Sequence, residues 1–269
     1  MRARSLVVGL LAGAGLVLAS VMGPAAAAAP AAENPNDGVT PYIIGGEDAD
    51  QEYPFMTSLQ DSQGHFCGGS LISSEWVLTA AHCVQGSAPG DFTARIGSND
   101  NSQGGEEAGV TEVVPHPDYD GASPGADIAL VKLDKAVQAA PIKVTGSTEA
   151  GTASRLLGWG QTCPEQGCGD VPTMLQQLDT SVVAAEECTG GIDGSTELCT
   201  DNPNGDSGAC YGDSGGPQIV QSGDGWTQIG VTSRTGNNDP TCATGPSIYT
   251  NAVAYTDWIN ETTGGALAA

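Results

Sequence analysis

The sequence predicts an all-β protein, a sandwich or a barrel, and three observations predict it. From Ile43 onward, brief β-type runs alternate with breaks rich in Gly, Pro, Asn and Ser. The chain holds 39 glycines with no collagen-like period, which reads as many turns between short strands. Only one helical pattern stands out, and it lies near the C-terminal end.

In chain order the runs are Ser70 to Ile72, Trp76 to Thr79, Ala108 to Val114, Ile128 to Leu133, Ser181 to Ala184, Gln218 to Gln221, Thr227 to Thr232 and Ser247 to Thr250. Glu197-Leu198-Cys199 is too short to classify. Val137 to Ile142 reads as a crossover between two halves of similar length. Tyr255, Trp258 and Ile259 at i, i+3 and i+4 give one apolar face to a short helix at about 251–260. The small residues from Thr262 to Ala269 read as a loose tail.

A length of 269 residues suits one or two domains of roughly 150 residues each and suffices for a real core. A net charge of -24 with only 8 Lys and Arg leaves almost no surface for phosphates, so a nucleic-acid partner is excluded. The N-terminus predicts the compartment. Arg2 and Arg4 precede an apolar run from Leu6 to Val21, and Ala25 to Ala29 supply small residues for cleavage. That order is a secretory signal peptide over 1–29. The run is shorter than the ~20 residues a membrane span needs. A secreted, extracellular chain without membrane association is expected. Pro30 to Tyr42, rich in Pro, Ala, Asn and Asp, reads as a propeptide over 30–42, leaving 43–269 as the working domain.

The eight cysteines are Cys67, Cys83, Cys163, Cys168, Cys188, Cys199, Cys210 and Cys242. An even count in an exported chain reads as four disulfides, although counting cannot choose among 105 pairings. Cys67, His82 and Cys83 invite a zinc reading, but no CxxC pair accompanies them, so neither metal nor cofactor is expected.

The chemistry lies in three short segments. In Gly212-Asp213-Ser214-Gly215-Gly216-Pro217, glycines around Ser214 let a ligand approach both hydroxyl and backbone N–H groups. The same stretch also satisfies the G-x-S-x-G elbow of α/β-hydrolases, so alone it is ambiguous. Histidine order separates the readings. A serine nucleophile needs a base, and His65, His82 and His116 all precede Ser214. The hydrolase order of Ser, acid, His is therefore impossible. His82, between Ala80-Ala81 and Cys83, is the candidate base. His65 lies in a hairpin region, and His116 between Pro115 and Pro117 suggests a surface turn. Asp127 precedes the apolar Ile128-Ala129-Leu130-Val131. There a carboxylate is partly desolvated and needs a partner such as an imidazole N–H. A solvated aspartate at the start of a strand would look the same, and composition does not single Asp127 out.

With these residues in view, the chain resembles the chymotrypsin (trypsin-like) family of secreted serine endopeptidases, and is similar to its bacterial, actinomycete-type members. The matching stretches are Ile43-Ile44-Gly45-Gly46, Cys67 to Ile72, Leu78 to Cys83, Asp127 to Leu130, Gly158-Trp159-Gly160, Gly212 to Pro217 and Tyr255 to Ile259. They run in family order from Ile43 to Asn260. The resemblance implies two six-stranded antiparallel β-barrels with the site between them. The first would span about 43–136, the second about 142–250, followed by the helix.

It also implies roles. Ser214 would be the nucleophile, His82 its general base and Asp127 the orienting acid. The N–H groups of Gly212 and Ser214 would form the oxyanion hole. Ile43, freed by precursor cleavage, would pair its ammonium with Asp213. Cys67–Cys83, Cys188–Cys199 and Cys210–Cys242 match family bridges, which leaves Cys163 with Cys168. Gly208 stands at the pocket floor, where trypsin-like members carry an aspartate. Ser233-Arg234-Thr235 matches a wall strand that usually reads Ser-Trp-Gly. Thr235 and Ser247 stand where glycine is frequent. A neutral, narrowed pocket for small or medium apolar residues, as in elastase-like members, is the expectation. A chymotrypsin-like taste for aromatic residues and a catalytically silent binding homologue are the alternatives. Partners would be protein or peptide substrates and protein protease inhibitors, met by a monomer. Asn99, Asp100, Asn101, Glu106 and Glu107 lie where some relatives bind calcium. The spacing differs and Ser98 replaces a glutamate, so a solvated acidic loop is expected.

Overall fold

In the computed structural model the described residues are 43–267, without Ser123, Asp170 and Asp224. The expected signal peptide and propeptide lie outside them. Short β-branched and leucine-rich segments between glycine turns fold into strands. In chain order these are β1 (Glu47–Asp48), β2 (Met56–Asp61), β3 (Gly64–Ser73), β4 (Trp76–Thr79), β5 (Thr93–Ile96), β6 (Glu106–Pro115), β7 (Ala129–Leu133), β8 (Lys143–Val144), β9 (Ala153–Gly158), β10 (Gln176–Val183), β11 (Glu197–Thr200), β12 (Pro217–Ser222), β13 (Gly225–Thr235) and β14 (Ser247–Asn251).

Two closed antiparallel barrels result. The first runs β2-β3-β4-β7-β6-β5 and closes where Thr57 meets Ile96. The second runs β9-β10-β11-β14-β13-β12 and closes where Gln218 meets Leu156. Closure leaves neither barrel an open edge. β1 adds to the second barrel along β10, and β8 joins β13 in parallel. Inside the first barrel Met56, Leu59, Leu71, Leu78, Ile96 and Leu130 have no exposed surface. In the second, Ile43, Leu156, Leu178, Val220, Ile229 and Tyr249 pack together.

Each expected run falls within or overlaps an observed strand. β1, β2, β5, β8 and β9 were not expected, and Glu197-Leu198-Cys199, left unclassified, belongs to β11. The terminal helix differs from the expected 251–260. A 3-10 turn spans Ala252–Tyr255, and the α-helix proper, α2, covers Thr256–Thr263. Gly264 stops it with φ 69°, a left-handed cap that glycine adopts without strain. A four-residue helix, α1, spans Ala81–Val84 and carries His82. Ile259 is buried against the first barrel. His116 opens a surface turn, its carbonyl accepting from the Tyr119 N–H at 3.0 Å, while its ring faces inward and meets Tyr255 and Trp258 edge-on, at 5.0 and 4.8 Å between centroids.

Four disulfides join Cys67–Cys83, Cys163–Cys168, Cys188–Cys199 and Cys210–Cys242. The first ties β3 to α1. Leu130 is fully buried three residues after Asp127. Leu130→Ala removes three buried side-chain carbons and leaves a void, so unfolding in denaturant should show a loss of about 2–5 kcal/mol.

Candidate active site

Asp127 sits just before β7, in the connection from β6 within the first barrel, and its backbone is fixed on three sides. The Gly125 N–H donates to Glu197 Oε1 at 2.8 Å, and the Ala126 N–H donates to the Tyr255 hydroxyl at 2.8 Å. Thr250 Oγ1 donates to the Asp127 carbonyl at 2.8 Å. Asp127 is 6% exposed, and its carboxylate takes three donors. Oδ1 accepts from the His82 backbone N–H at 2.9 Å. Oδ2 accepts from His82 Nδ1 at 2.7 Å and from the Ser233 hydroxyl at 2.6 Å. Burial opposes its charge. The hydrogen bond and charge of His82, the Ser233 hydroxyl and the His82 N–H together outweigh burial and hold the pKa below the usual carboxylate range.

An ionised carboxylate only accepts, so it assigns the Nδ1 proton and leaves a lone pair on Nε2. That nitrogen lies 3.7 Å from Sγ of Cys83. The sulfur is in a disulfide and has no proton to give. His82 and Ser214 line one cleft of about 630 Å³. Among the described residues no hydrogen bond joins them, as is common before a substrate is seated.

Backbone geometry aims two N–H groups into this cleft. Gln161 N–H donates to the Tyr211 carbonyl at 2.7 Å, and Gly216 N–H to the Asp213 carbonyl at 2.9 Å. In a trans peptide the N–H points opposite the carbonyl. The N–H groups of Gly212 and Ser214 are thus turned away from those bonds, and neither has a partner among the described residues. Gly215, at φ 79°, must be glycine: a Cβ there would stand 2.5 Å from the Gly68 carbonyl.

Asp213 is buried beneath this loop. Its Oδ1 accepts from Gly160 N–H at 2.7 Å and its Oδ2 from Cys210 N–H at 2.9 Å. Burial pushes its pKa up to about 7 against those two donors, and it enters no ion pair among the described residues. Ile43 is 1% exposed and packs with Tyr249, whose hydroxyl feels the charge of Asp213.

Of the expected pocket residues, Ser233, Thr235 and Ser247 line the cleft beside Ser214, together with the Cys210–Cys242 bridge. Gly208 is buried next to them, where a methyl would come 3.6 Å from Ser247 Oγ. No Asp or Glu lines this cleft among the described residues. The carboxylates of the 98–107 loop are already engaged. Asp100 accepts from Ser102 and Gln103, Glu106 from the Gln138 and Ala139 N–H groups, and Glu107 pairs with Arg95. Cys67, His82 and Cys83 do converge, but both sulfurs are bridged and Nδ1 serves Asp127, so they offer no ligand set.

Sequence reasoning missed two contributors. His65 is a tie, not a base. Its Nδ1 meets Ser58 Oγ at 2.8 Å and its Nε2 meets the Gly212 carbonyl at 2.9 Å. Burial pushes its pKa down to about 4 despite the Gly212 carbonyl, so the neutral ring donates from Nε2 and steadies the loop. Glu197 is the other; an acid inside an otherwise apolar strand was the available signal.

A family model described as Trypsin matches residues 43–259. The chain is 36% identical over 235 residues to "Trypsin" of Saccharopolyspora erythraea, covering 81% of this chain and 97% of that protein. It is 34% identical over 239 residues to "Lectizyme" of Glossina austeni, covering 81% and 85%.

Proposed function

The chain belongs to the trypsin family and is a serine endopeptidase; from that premise we propose that Ser214, His82 and Asp127 are its catalytic triad, and that it is secreted and cleaves after small or medium apolar residues. The observation that carries the triad is the Asp127–His82 Nδ1 bond, which leaves the Nε2 lone pair in the cleft that Ser214 lines. Ser214 Oγ attacks the peptide carbonyl while His82 Nε2 takes its proton. The same proton then goes to the leaving amine, and water repeats the sequence on the acyl-enzyme. The N–H groups of Gly212 and Ser214 receive the oxyanion, an effect typically worth ~10²–10³ in rate per donor.

Cleavage before Ile43 is proposed to supply an ammonium to Asp213, the buried acid without a cation. The bond follows Tyr42, so a chymotrypsin-like protease or the enzyme itself would cut it. Protein inhibitors and a monomeric state belong to the same proposal. The described residues contain no helix long and apolar enough to cross a membrane.

The preference for apolar residues rests on a cleft without a carboxylate among the described residues, whose one cation, Arg234, is paired with Glu197. A substrate Lys or Arg would bury its charge beside Ser247 and Thr235 with no carboxylate to meet it. On mature protein, peptide chromophores varying only the residue before the cut should show Ala or Leu ahead of Phe, and all far ahead of Lys, by ~100-fold or more. Phe first would keep the mechanism and replace the narrowed pocket with a wider one. Lys first would contradict the pocket reading.

A further inference from the structure

A second pocket, of about 330 Å³, shares His82, Ser233 and Arg234 with the cleft. Tyr119, Gly190, Gly191, Arg234 and Asn238 line it. Because it shares the proposed base with the cleft, it lies beside the cleaved bond of a bound substrate, and the reading below rests on the protease function.

Arg234 dominates this pocket. It is the one Lys or Arg among the described residues lining either cleft. Its guanidinium forms a fork on Glu197, with Nη1 to Oε1 at 2.5 Å and Nη2 to Oε2 at 3.1 Å. Nη2 also donates to the Gly191 carbonyl at 2.8 Å. The Glu197 side chain is wholly buried, whereas that of Arg234 is 32% exposed. Glu197 is itself anchored by the N–H groups of Gly125 and Asp193. The cation is therefore held rigidly from behind and presents its front to the pocket. Three of its five N–H groups are engaged, which leaves Nε–H and one Nη1–H without partners among the described residues. The nearest acid on the pocket wall, Asp127, is already covered by His82 and Ser233.

We infer that Arg234 is a specificity-determining residue, and that this pocket is a subsite selecting substrates with a hydrogen-bond-accepting side chain, a carboxylate foremost, upstream of the cleaved bond. A large apolar side chain would cover the two free N–H groups without replacing their water. A cationic one would face the guanidinium. The two free N–H groups lie on opposite edges of the guanidinium, so an acceptor satisfies one of them, and a carboxylate adds charge assistance. Glu197 already neutralises part of the Arg234 charge, so the gain of carboxylate over amide is smaller than the gain of either over an aliphatic group.

The test uses mature protein and peptide chromophores with Leu before the cut and Glu, Gln, Leu or Lys at the second, third or fourth residue before it. At one of these positions kcat/KM should fall in the order Glu, Gln, Leu, Lys. Glu should exceed Leu by about tenfold, mainly through KM, and the gap between Glu and Gln should narrow in high salt. Arg234→Met alone strands the buried Glu197 and risks the fold. The double variant Glu197→Met with Arg234→Met removes both charges and should put Leu ahead of Glu. Equal rates for Glu and Leu, cleavage of none of the acceptor-bearing peptides, or a Glu preference that survives the double change would overturn the subsite. Labelling of Ser214 by a serine-directed inhibitor, run in parallel, separates the two failures. Labelled enzyme without discrimination sinks only the subsite, and unlabelled enzyme sinks the protease reading beneath it.

Discussion

Ser214→Ala should lower kcat by about 10⁶-fold while leaving KM and the thermal unfolding midpoint nearly unchanged. The hydroxyl lines the same cleft as His82 and the two unpartnered N–H groups of Gly212 and Ser214. Removing Oγ takes away the atom that forms the new bond, and the neighbouring groups have nothing to act on. His82→Ala should cost nearly as much, and the double variant little more, because the pair acts as a unit. Asp127→Asn should cost about 10⁴-fold. Its amide would turn an N–H toward Nδ1 and force the proton onto Nε2, where it blocks the attack. Steady-state kinetics on the best peptide of the apolar series checks all four. A Ser214→Ala protein that keeps a tenth of its activity would contradict the mechanism.

Cleavage before Ile43 should produce the second large effect, a gain in activity of ~10²–10³ or more as the oxyanion loop is fixed. A stability signature should accompany it. With no ammonium nearby, the Asp213 carboxyl has a folded-state pKa of about 7 against an ordinary 3.8. The folded precursor then holds a proton that the unfolded chain releases. This group stabilises the fold most at low pH, and that contribution is lost as pH rises from about 4 through about 7. The difference corresponds to on the order of 4 kcal/mol. In the cleaved chain the Ile43 ammonium would offset the charge and remove most of this loss. Thermal unfolding of Ser214→Ala protein, before and after cleavage, should show a steep decline between pH 5 and 8 only before it. Asp213→Asn should flatten the precursor's profile. Parallel pH profiles in both forms would contradict the proposed pairing.

How much of this could be read from sequence follows from which residues carry their burial in plain sight. Ile128 to Leu133 and Trp76 to Thr79 are apolar throughout or nearly so, and each marked a strand. β2 escaped because Thr57 and Ser58 are fully buried yet polar. Thr57 bonds to the Phe55 carbonyl and Ser58 to His65, so polarity there signals a satisfied interior rather than a loop. β9 escaped because Arg155 lies at its centre. It is buried by ion pairs with Asp50 and Asp179 and by stacking on Trp226, none near in sequence. The helix boundary moved because Tyr255, read as its first apolar contact, closes a 3-10 turn instead. Gly264 was the better marker of its end.

The site divides the same way. Ser214 and His82 stood out by their flanking motifs and by a chain order that excludes the α/β-hydrolase arrangement, whereas Asp127 was proposed only through the family resemblance. Glu197 and Arg234 were not joined, since an acid and a base 37 residues apart reveal their partnership only when β11 and β13 flank β14. His65 was set aside as a base, and its tie to Gly212 spans 147 residues. Local pattern reveals what a residue type can do; long-range bonds that orient it wait for the fold.

The most direct test of the central claim is intact-mass analysis of mature protein beginning at Ile43 after treatment with a serine-directed phosphonylating inhibitor, followed by mapping of the modified peptide. One adduct per chain, located on Ser214, formed in step with loss of peptide hydrolysis and absent from the His82→Ala variant, is the predicted result. A folded protein with the correct N-terminus that takes up no adduct, or takes it up elsewhere, would contradict the triad.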